Sequence, residues 1–347
     1  MSNPSGGDDA STIPPRPPLP PQRDEGVPPR AGDNRQSQWQ TKKAEIETHV
    51  SHARDQLDQA NERIKERTGR DLVVATGVGL LIGGVILASL LFAKWSFVVI
   101  GLAIVLLAVW ELVLALRAGG RKVDLWPHLV LGALLAASGY FADPWLCWVM
   151  LFVAVFGVIV WRLMAQMIAK DGRTYGDVLT DALAAGFVQV YVPFLGAIVL
   201  MLLHQPRGEW WVLALIVVVV VTDTCAYASG LLFGRGGRHP MAPRVSPKKT
   251  WEGFAGAVVG SLVAGALVGV YMLGVPWWAG LILGAALVAS ATIGDLGESL
   301  LKRDLGIKDM SSWIPGHGGL LDRLDSVLPS GIVALALYIL LTPLVAA

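Results

Sequence analysis

The sequence predicts an all-α polytopic membrane protein with about nine transmembrane helices, a cytoplasmic N-terminus and a polar cavity facing the cytoplasm. Three observations lead there. Of 347 residues, 54% are hydrophobic and 16% are charged, against roughly 25% charged in soluble domains. The charge is also uneven: the first 71 positions carry 11 Lys+Arg and 12 Asp+Glu, leaving 17 and 15 for the remaining 276. Finally, that remainder divides into apolar runs near the ~20 residues a helix needs to cross a bilayer. A body so poor in charge cannot cover a water-exposed surface. This excludes a soluble globular enzyme and a nucleic-acid binder with a basic face.

Residues 1–36 are polar, and nine of the chain's 20 prolines fall between Pro4 and Pro29. Such a segment buries too little apolar surface to offset its ordering entropy, so a disordered cytoplasmic tail is expected. It has no apolar core of the kind a signal peptide carries. Residues 37–71 lack proline, and Ile46, Val50, Ala53, Leu57, Ala60 and Ile64 follow a 4-3-4-3-4 spacing. That spacing suits a short coiled coil, or an amphipathic helix lying on the membrane or on the body.

Nine spans are expected at 72–92, 96–116, 125–142, 145–164, 181–203, 211–234, 254–275, 277–294 and 327–346. The first four form an N-terminal region, 72–180, and the rest a second region, 181–347, which holds the two charged stretches described next. With the tail inside, the cytoplasmic loops hold 14 basic residues, against Lys94 and Arg207 opposite. The positive-inside rule supports that orientation. Cys147 and Cys225 lie in apolar runs without metal-ligand spacing and read as packing residues.

Two cytoplasmic stretches, 235–252 and 295–325, contain half of the body's 32 charges. The first is basic and rich in Gly and Pro. Lys248 and Lys249, with the hydroxyls of Ser246 and Thr250, stand at the start of a span and suit a polyphosphate. The same residues equally suit plain anchoring and a capped helix start. The second stretch is expected to be a long connection over 294–326, a length that is usually functional. Asp295, Glu298 and Ser299 are spaced to share a helix face. Asp322 and Asp325 flank Arg323, and His317-Gly318-Gly319 precede them. Carboxylates from two helix ends can hold Mg²⁺ while a substrate phosphate completes its shell. Lys302, Arg303, Lys308 and Arg323 would balance phosphate charge. Within the sixth span, Asp223 is an ionisable residue in an apolar run, with Tyr227 and Gly230 on its stripe.

The stretch Ser299–Asp325 resembles the signature of the phosphatidate cytidylyltransferases, or CDP-diacylglycerol synthases. That pattern is S-x-x-K-R, four residues, K-D, and then P-x-H-G-G-x-x-D-R-x-D, and every fixed position is matched. The Asp223…Tyr227…Gly230 stripe and Ser246-Pro247-Lys248-Lys249-Thr250-Trp251-Glu252-Gly253 agree with it. The resemblance covers roughly 180–345 and excludes the tail.

It implies an inner-membrane enzyme of phospholipid biosynthesis that makes CDP-diacylglycerol and pyrophosphate from CTP and phosphatidic acid with Mg²⁺. Asp295 and Asp322 are then the expected metal ligands, with Asp325 and Glu298 secondary, and a second ion, divalent or monovalent, is allowed. Lys302, Arg303, Arg323 and Asp325 belong to the catalytic set. His317 would assist pyrophosphate release or shape its loop. Asp223, Tyr227, Ser246, Lys248, Lys249, Thr250, Glu298, Ser299, Lys308 and Asp309 would contact substrate. The expected partners are CTP, phosphatidic acid, the bilayer and a second copy of the chain, with no nucleic acid. One alternative is a CTP-dependent transferase acting on another lipid phosphate, which the phosphatidate-type signature disfavours. The other, an ion-coupled transporter, would be expected to show internal repeats, and none is visible.

Overall fold

The computed structural model describes residues 72–169, 171–234, 239–311 and 318–344. The expected tail (1–36) and amphipathic helix (37–71) lie outside the described residues. From Leu72 onward the chain is mainly helical, in the order the hydropathy predicts. Helix α1 is Leu72–Phe92, α2 Lys94–Ala118, α3 Leu125–Phe141 and α4 Pro144–Ile168. Helix α5 (Tyr175–Gln189) runs through a π-turn at Val190–Phe194 into α6 (Leu195–His204). Then come α7 (Gly208–Phe233), a hairpin of β1 (Pro240–Ala242) and β2 (Ser246–Thr250), and α8 (Trp251–Val268), which ends in a second π-turn, Gly269–Leu273. Helix α9 is Trp277–Asp304, α10 the single turn Leu321–Leu324, and α11 Val327–Leu341.

Seven of these stretches are long and apolar enough to cross a membrane: α2, α4, α5 with α6, α7, α8, α9, and α10 with α11. The protein is a multi-pass membrane protein. Of the other two predicted spans, α3 is an apolar helix of 17 residues, one short of this measure, and α1 contains the apolar stretch Leu81–Phe92.

Most span ends shift by a few residues, and three larger features differ from the sequence expectation. The span expected at 181–203 begins earlier, at Tyr175, because Thr174 and Asp177 form a capping box. The Asp177 amide donates to Thr174 Oγ1, and the Thr174 amide to Asp177 Oδ2. The π-turn in its middle contains Pro193. Proline lacks an amide proton, so the regular i→i−4 ladder cannot continue through it.

The second difference is larger. The span expected to stop at Gly294 continues ten residues to Asp304. The connection is therefore 305–320, not 294–326. Gly294 does not break the helix; it lets α9 approach the Asp325 carbonyl so closely that a Cβ would collide with it. The stop is Gly306, at φ +70°, where the Gly306 amide donates to the Arg303 carbonyl and the Ile307 amide to the Lys302 carbonyl. The third difference is the antiparallel β1–β2 hairpin in the basic loop, a small exception to the all-α expectation.

Close helix contact comes from small residues. On one face of α8, Gly253, Gly256 and Gly260 meet Ala226, Ser229 and Cys225 of α7. On the other, Ser261 Oγ donates to the Gly284 carbonyl of α9 at 2.8 Å. Lipid tails give no hydrophobic drive for helix pairing, so backbone proximity and such bonds carry it. A core of α2, α3, α4 and α6 residues includes Met310 and Leu321, which flank the signature loop.

Candidate active site

Asp295, Glu298, Ser299, Lys302 and Arg303 all stand on the last turns of α9, so the one-face reading of the sequence holds. Asp322 is set opposite them by α10. Lys302 Nζ donates to Asp322 Oδ1 at 2.8 Å and lies 3.1 Å from Glu298 Oε1. The Gly319 amide donates to Asp322 Oδ2 at 2.8 Å, and the Met310 amide reaches both oxygens, at 3.1 and 3.3 Å. Asp322 is thus cradled by one ammonium and two backbone amides. Gly318, at φ +81°, makes the turn, and a Cβ on Gly319 would crowd Asp322 at 3.0 Å. These positions explain why the loop carries two glycines together.

Lys249, on β2, pairs with Asp295. Ser299 Oγ stands 3.4 Å from the other Asp295 oxygen. Asp223, from α7, lies within electrostatic reach of Asp295, Lys249 and Arg323. Asp325, whose Oδ1 accepts from the Ser326 amide at 2.7 Å, is likewise in reach of Asp295, Lys302 and Asp223. Residues spread over a hundred positions of sequence therefore form one cluster of opposed carboxylates and lysines.

Other expected site residues have different roles or places. Thr250 caps α8, accepting from the Gly253 amide at 3.1 Å, which is the helix-start role. Arg303 Nε donates to the Val245 carbonyl at 3.3 Å and ties α9 to the hairpin. Lys248 and Lys308 are exposed, Ser246 is half-buried, and Tyr227 is 74% exposed. Asp309 is exposed and lines a cavity of about 350 Å³ with Trp110, Leu114, Ile307, Met310 and Ser311. That cavity is not the carboxylate cluster; it adjoins it through Met310, whose amide bonds Asp322. His317 lies outside the described residues.

Sequence reasoning missed Glu111. It sits within α2 and is 1% exposed. Its carboxylate accepts from Ser311 Oγ at 2.5 Å, the Leu320 amide at 2.9 Å and the Leu321 amide at 2.8 Å. The two amides stand at the start of α10, where they have no partner within the helix. Glu111 thereby pins the turn carrying Asp322. The available signal was a lone acid inside an apolar span, the same signal that drew attention to Asp223. Replacing Glu111 with alanine leaves these buried donors unpaired, each costing about 1–3 kcal/mol. Thermal unfolding should begin lower and turnover should fall at least tenfold. A variant with unchanged turnover would show that α10 holds Asp322 without this anchor.

The cluster's donor set suits a hard cation. All its candidate ligands are oxygens, and Glu298, 1% exposed, has two buried carboxylate oxygens without a hydrogen-bond partner among the described residues, its ion pair with Lys302 aside. Among those residues no three acidic, His or Cys side chains already converge as a ligand set.

Comparison with known proteins fits this geometry. The model of the cytidylyltransferase family matches residues 73–341. The chain belongs to that family. A protein of Mycobacterium bovis named phosphatidate cytidylyltransferase is 40% identical over 281 residues, covering 77% of this chain and 88% of its own length. The so-named Mycobacterium leprae protein is 39% identical over 291 residues, covering 79% and 90%. That of Haemophilus influenzae is 30% identical over 268 residues, covering 72% and 91%. The family match takes in α1 from its second residue and every element through α11, including the N-terminal helices that the signature alone left outside the resemblance. In this cytidylyltransferase the signature helix α9, the hairpin and α10 bring the charged side chains together.

Proposed function

We propose that this protein is a phosphatidate cytidylyltransferase, which converts CTP and phosphatidic acid to CDP-diacylglycerol and pyrophosphate. One observation supports this above the others: Lys249, Asp295, Lys302 and Asp322, from three separate segments of the matched region, meet in paired contacts. An oxygen of the lipid phosphate forms the bond to the α-phosphorus of CTP. The bond from that phosphorus to the α–β bridging oxygen breaks, and pyrophosphate leaves with the electron pair. The lipid phosphate is already a nucleophile, so no serine or cysteine has to be activated. The chain's task is to bring two polyanions together and to stabilise the leaving group.

Lys249 and Lys302 are held by carboxylates before substrate arrives, so less side-chain freedom is lost when a phosphate binds. Asp295 and Asp322 would hold Mg²⁺, with Glu298 and Asp325 beside them, and the ion would neutralise phosphate charge. Lys308, Arg303 and Arg323 would add positive charge for the phosphates, and Lys248, Ser246, Asp223, Tyr227 and Asp309 would contact substrate. The basic-residue distribution supports a cytoplasm-facing site, and the family supports a bacterial inner membrane as its home. A homodimer belongs to the same reading.

The test is purified protein in detergent, radiolabelled CTP, a panel of lipid phosphates, and Mg²⁺ present or chelated. Formation of CDP-diacylglycerol from phosphatidic acid, abolished by chelation, is expected. Preference for another lipid phosphate would move the protein to a different transferase. Absence of any CTP-dependent product would leave a transport role as the better reading.

A further inference from the structure

Trp251 is the first residue of α8 and follows Lys248, Lys249 and Thr250 directly. It is 56% exposed, yet it is held in place. Its amide donates to the His239 carbonyl at 3.0 Å, which closes the hairpin, and the Thr250 cap fixes the turn that follows. The indole meets the Phe254 ring with centroids 6.0 Å apart and planes at 84°. Such a T-shaped contact covers at most one face of the indole.

Two geometric markers put this ring beside the carboxylate cluster. The first is the side of the helix. Gly253, Gly256 and Gly260 face α7, whereas Ser261 bonds the Gly284 carbonyl of α9. Phe254 stands two turns before Ser261 and shares its stripe, and Trp251 leans on Phe254. The ring therefore belongs to the α9 side of α8. The second marker is depth. Helices α8 and α9 run antiparallel, with Ser261 close to Gly284 and Gly265 close to Gly280. Counting back from Ser261 to Trp251 covers about 15 Å, and forward from Gly284 to Asp295 about 16 Å. Trp251 and Asp295 thus stand at one level, in agreement with the Lys249–Asp295 ion pair.

An exposed tryptophan at a helix end is ordinarily a membrane-interface anchor. This one borders the lysines suited to a polyphosphate, at the polar hairpin end of its helix. A nucleotide with its phosphates on those lysines carries its base one ribose away. We infer that Trp251 is the platform on which the cytosine base of CTP stacks. This rests on the cytidylyltransferase reading above and deepens it: the lysines take the triphosphate, and the indole takes the base, for which neither the signature nor the basic residues supply a planar partner.

The test compares CTP with a ligand that has no base. Inorganic tripolyphosphate, with Mg²⁺ in excess, should inhibit the wild type in competition with CTP. In Trp251→Ala, KM for CTP should rise roughly 5- to 150-fold, the worth of one stacked base. The inhibition constant of tripolyphosphate and KM for phosphatidic acid should stay within about twofold. Trp251→Phe, which keeps a π face, should recover most of the CTP affinity, whereas Trp251→Leu, apolar but not planar, should not. An unchanged KM for CTP in Trp251→Ala would overturn the inference and leave the ring a membrane anchor, as would full recovery by leucine. Equal losses for CTP and tripolyphosphate would also overturn it, because the ring would then be bracing the hairpin. Wild-type protein runs in parallel: if it makes no CDP-diacylglycerol, the functional reading fails, whereas an active wild type whose KM for CTP is indifferent to Trp251→Ala fails only this inference.

Discussion

Asp322→Asn is expected to lower CDP-diacylglycerol formation by roughly 30- to 5,000-fold, from about 2–5 kcal/mol of lost interaction. Asp322 accepts from three donors: Lys302 Nζ, the Met310 amide and the Gly319 amide. An asparagine offers one oxygen and one NH₂ in their place. Whichever way its amide is turned, at least one donor faces another donor. The lost charge also leaves Lys302 with Glu298 as its remaining carboxylate. Both effects fall on the groups proposed to meet phosphate. The measurement is initial rate with purified protein at saturating CTP and phosphatidic acid, with Asp295→Asn in parallel. Wild-type turnover in either variant would remove that residue from the metal and phosphate machinery.

The second large effect is on stability and lies elsewhere. Asp181→Ala should destabilise the protein by about 3–5 kcal/mol, because it strands the buried Arg162 guanidinium away from water and takes an ion-pair partner from the partly exposed Arg173. Asp181 is fully buried and accepts from the Lys122 amide at 2.9 Å, Arg162 Nη2 at 2.9 Å and Arg173 Nη1 at 2.7 Å. Arg173 also donates to the Gly120 carbonyl, so one carboxylate ties the α2–α3 loop to α4 and α5. Nearby, Lys122 and Gln166 hold the Asp171 carboxyl well below the usual carboxylate range. Thermal unfolding in detergent should show a drop on the order of 10 °C. An unchanged midpoint would mean that the arginines find other acceptors at no cost. Arg162, inside a predicted span, carries no one-dimensional signal of this role, since its partner lies 19 positions away on another helix.

Much of this protein was legible without coordinates. Scarce charge in a long apolar body implied the bilayer, because a membrane-facing surface cannot carry unpaired charge. The 3–4 spacing of Asp295, Glu298 and Ser299 was legible because helical periodicity is local. So was the cap at Thr250, which depends on a few consecutive residues. Helix ends were less so. Gly294 reads as a stop in one dimension and proves to be a contact in three. A glycine's tolerance for close approach and its tendency to end helices are indistinguishable until the neighbour is known.

What the sequence alone determined, then, is the set of chemical groups and the membrane that surrounds them. Oxygen ligands, basic residues and apolar spans are properties of composition and short spacing. Only the tertiary structure decided which of those groups meet. It paired Lys249 with Asp295 and Lys302 with Asp322, set Arg303 to brace the hairpin, and left Lys248 and Lys308 exposed. It also brought in Glu111. The reason is range: capping, periodicity and hydropathy act over a few residues, whereas these contacts join positions up to 210 apart, and only helix packing sets such distances.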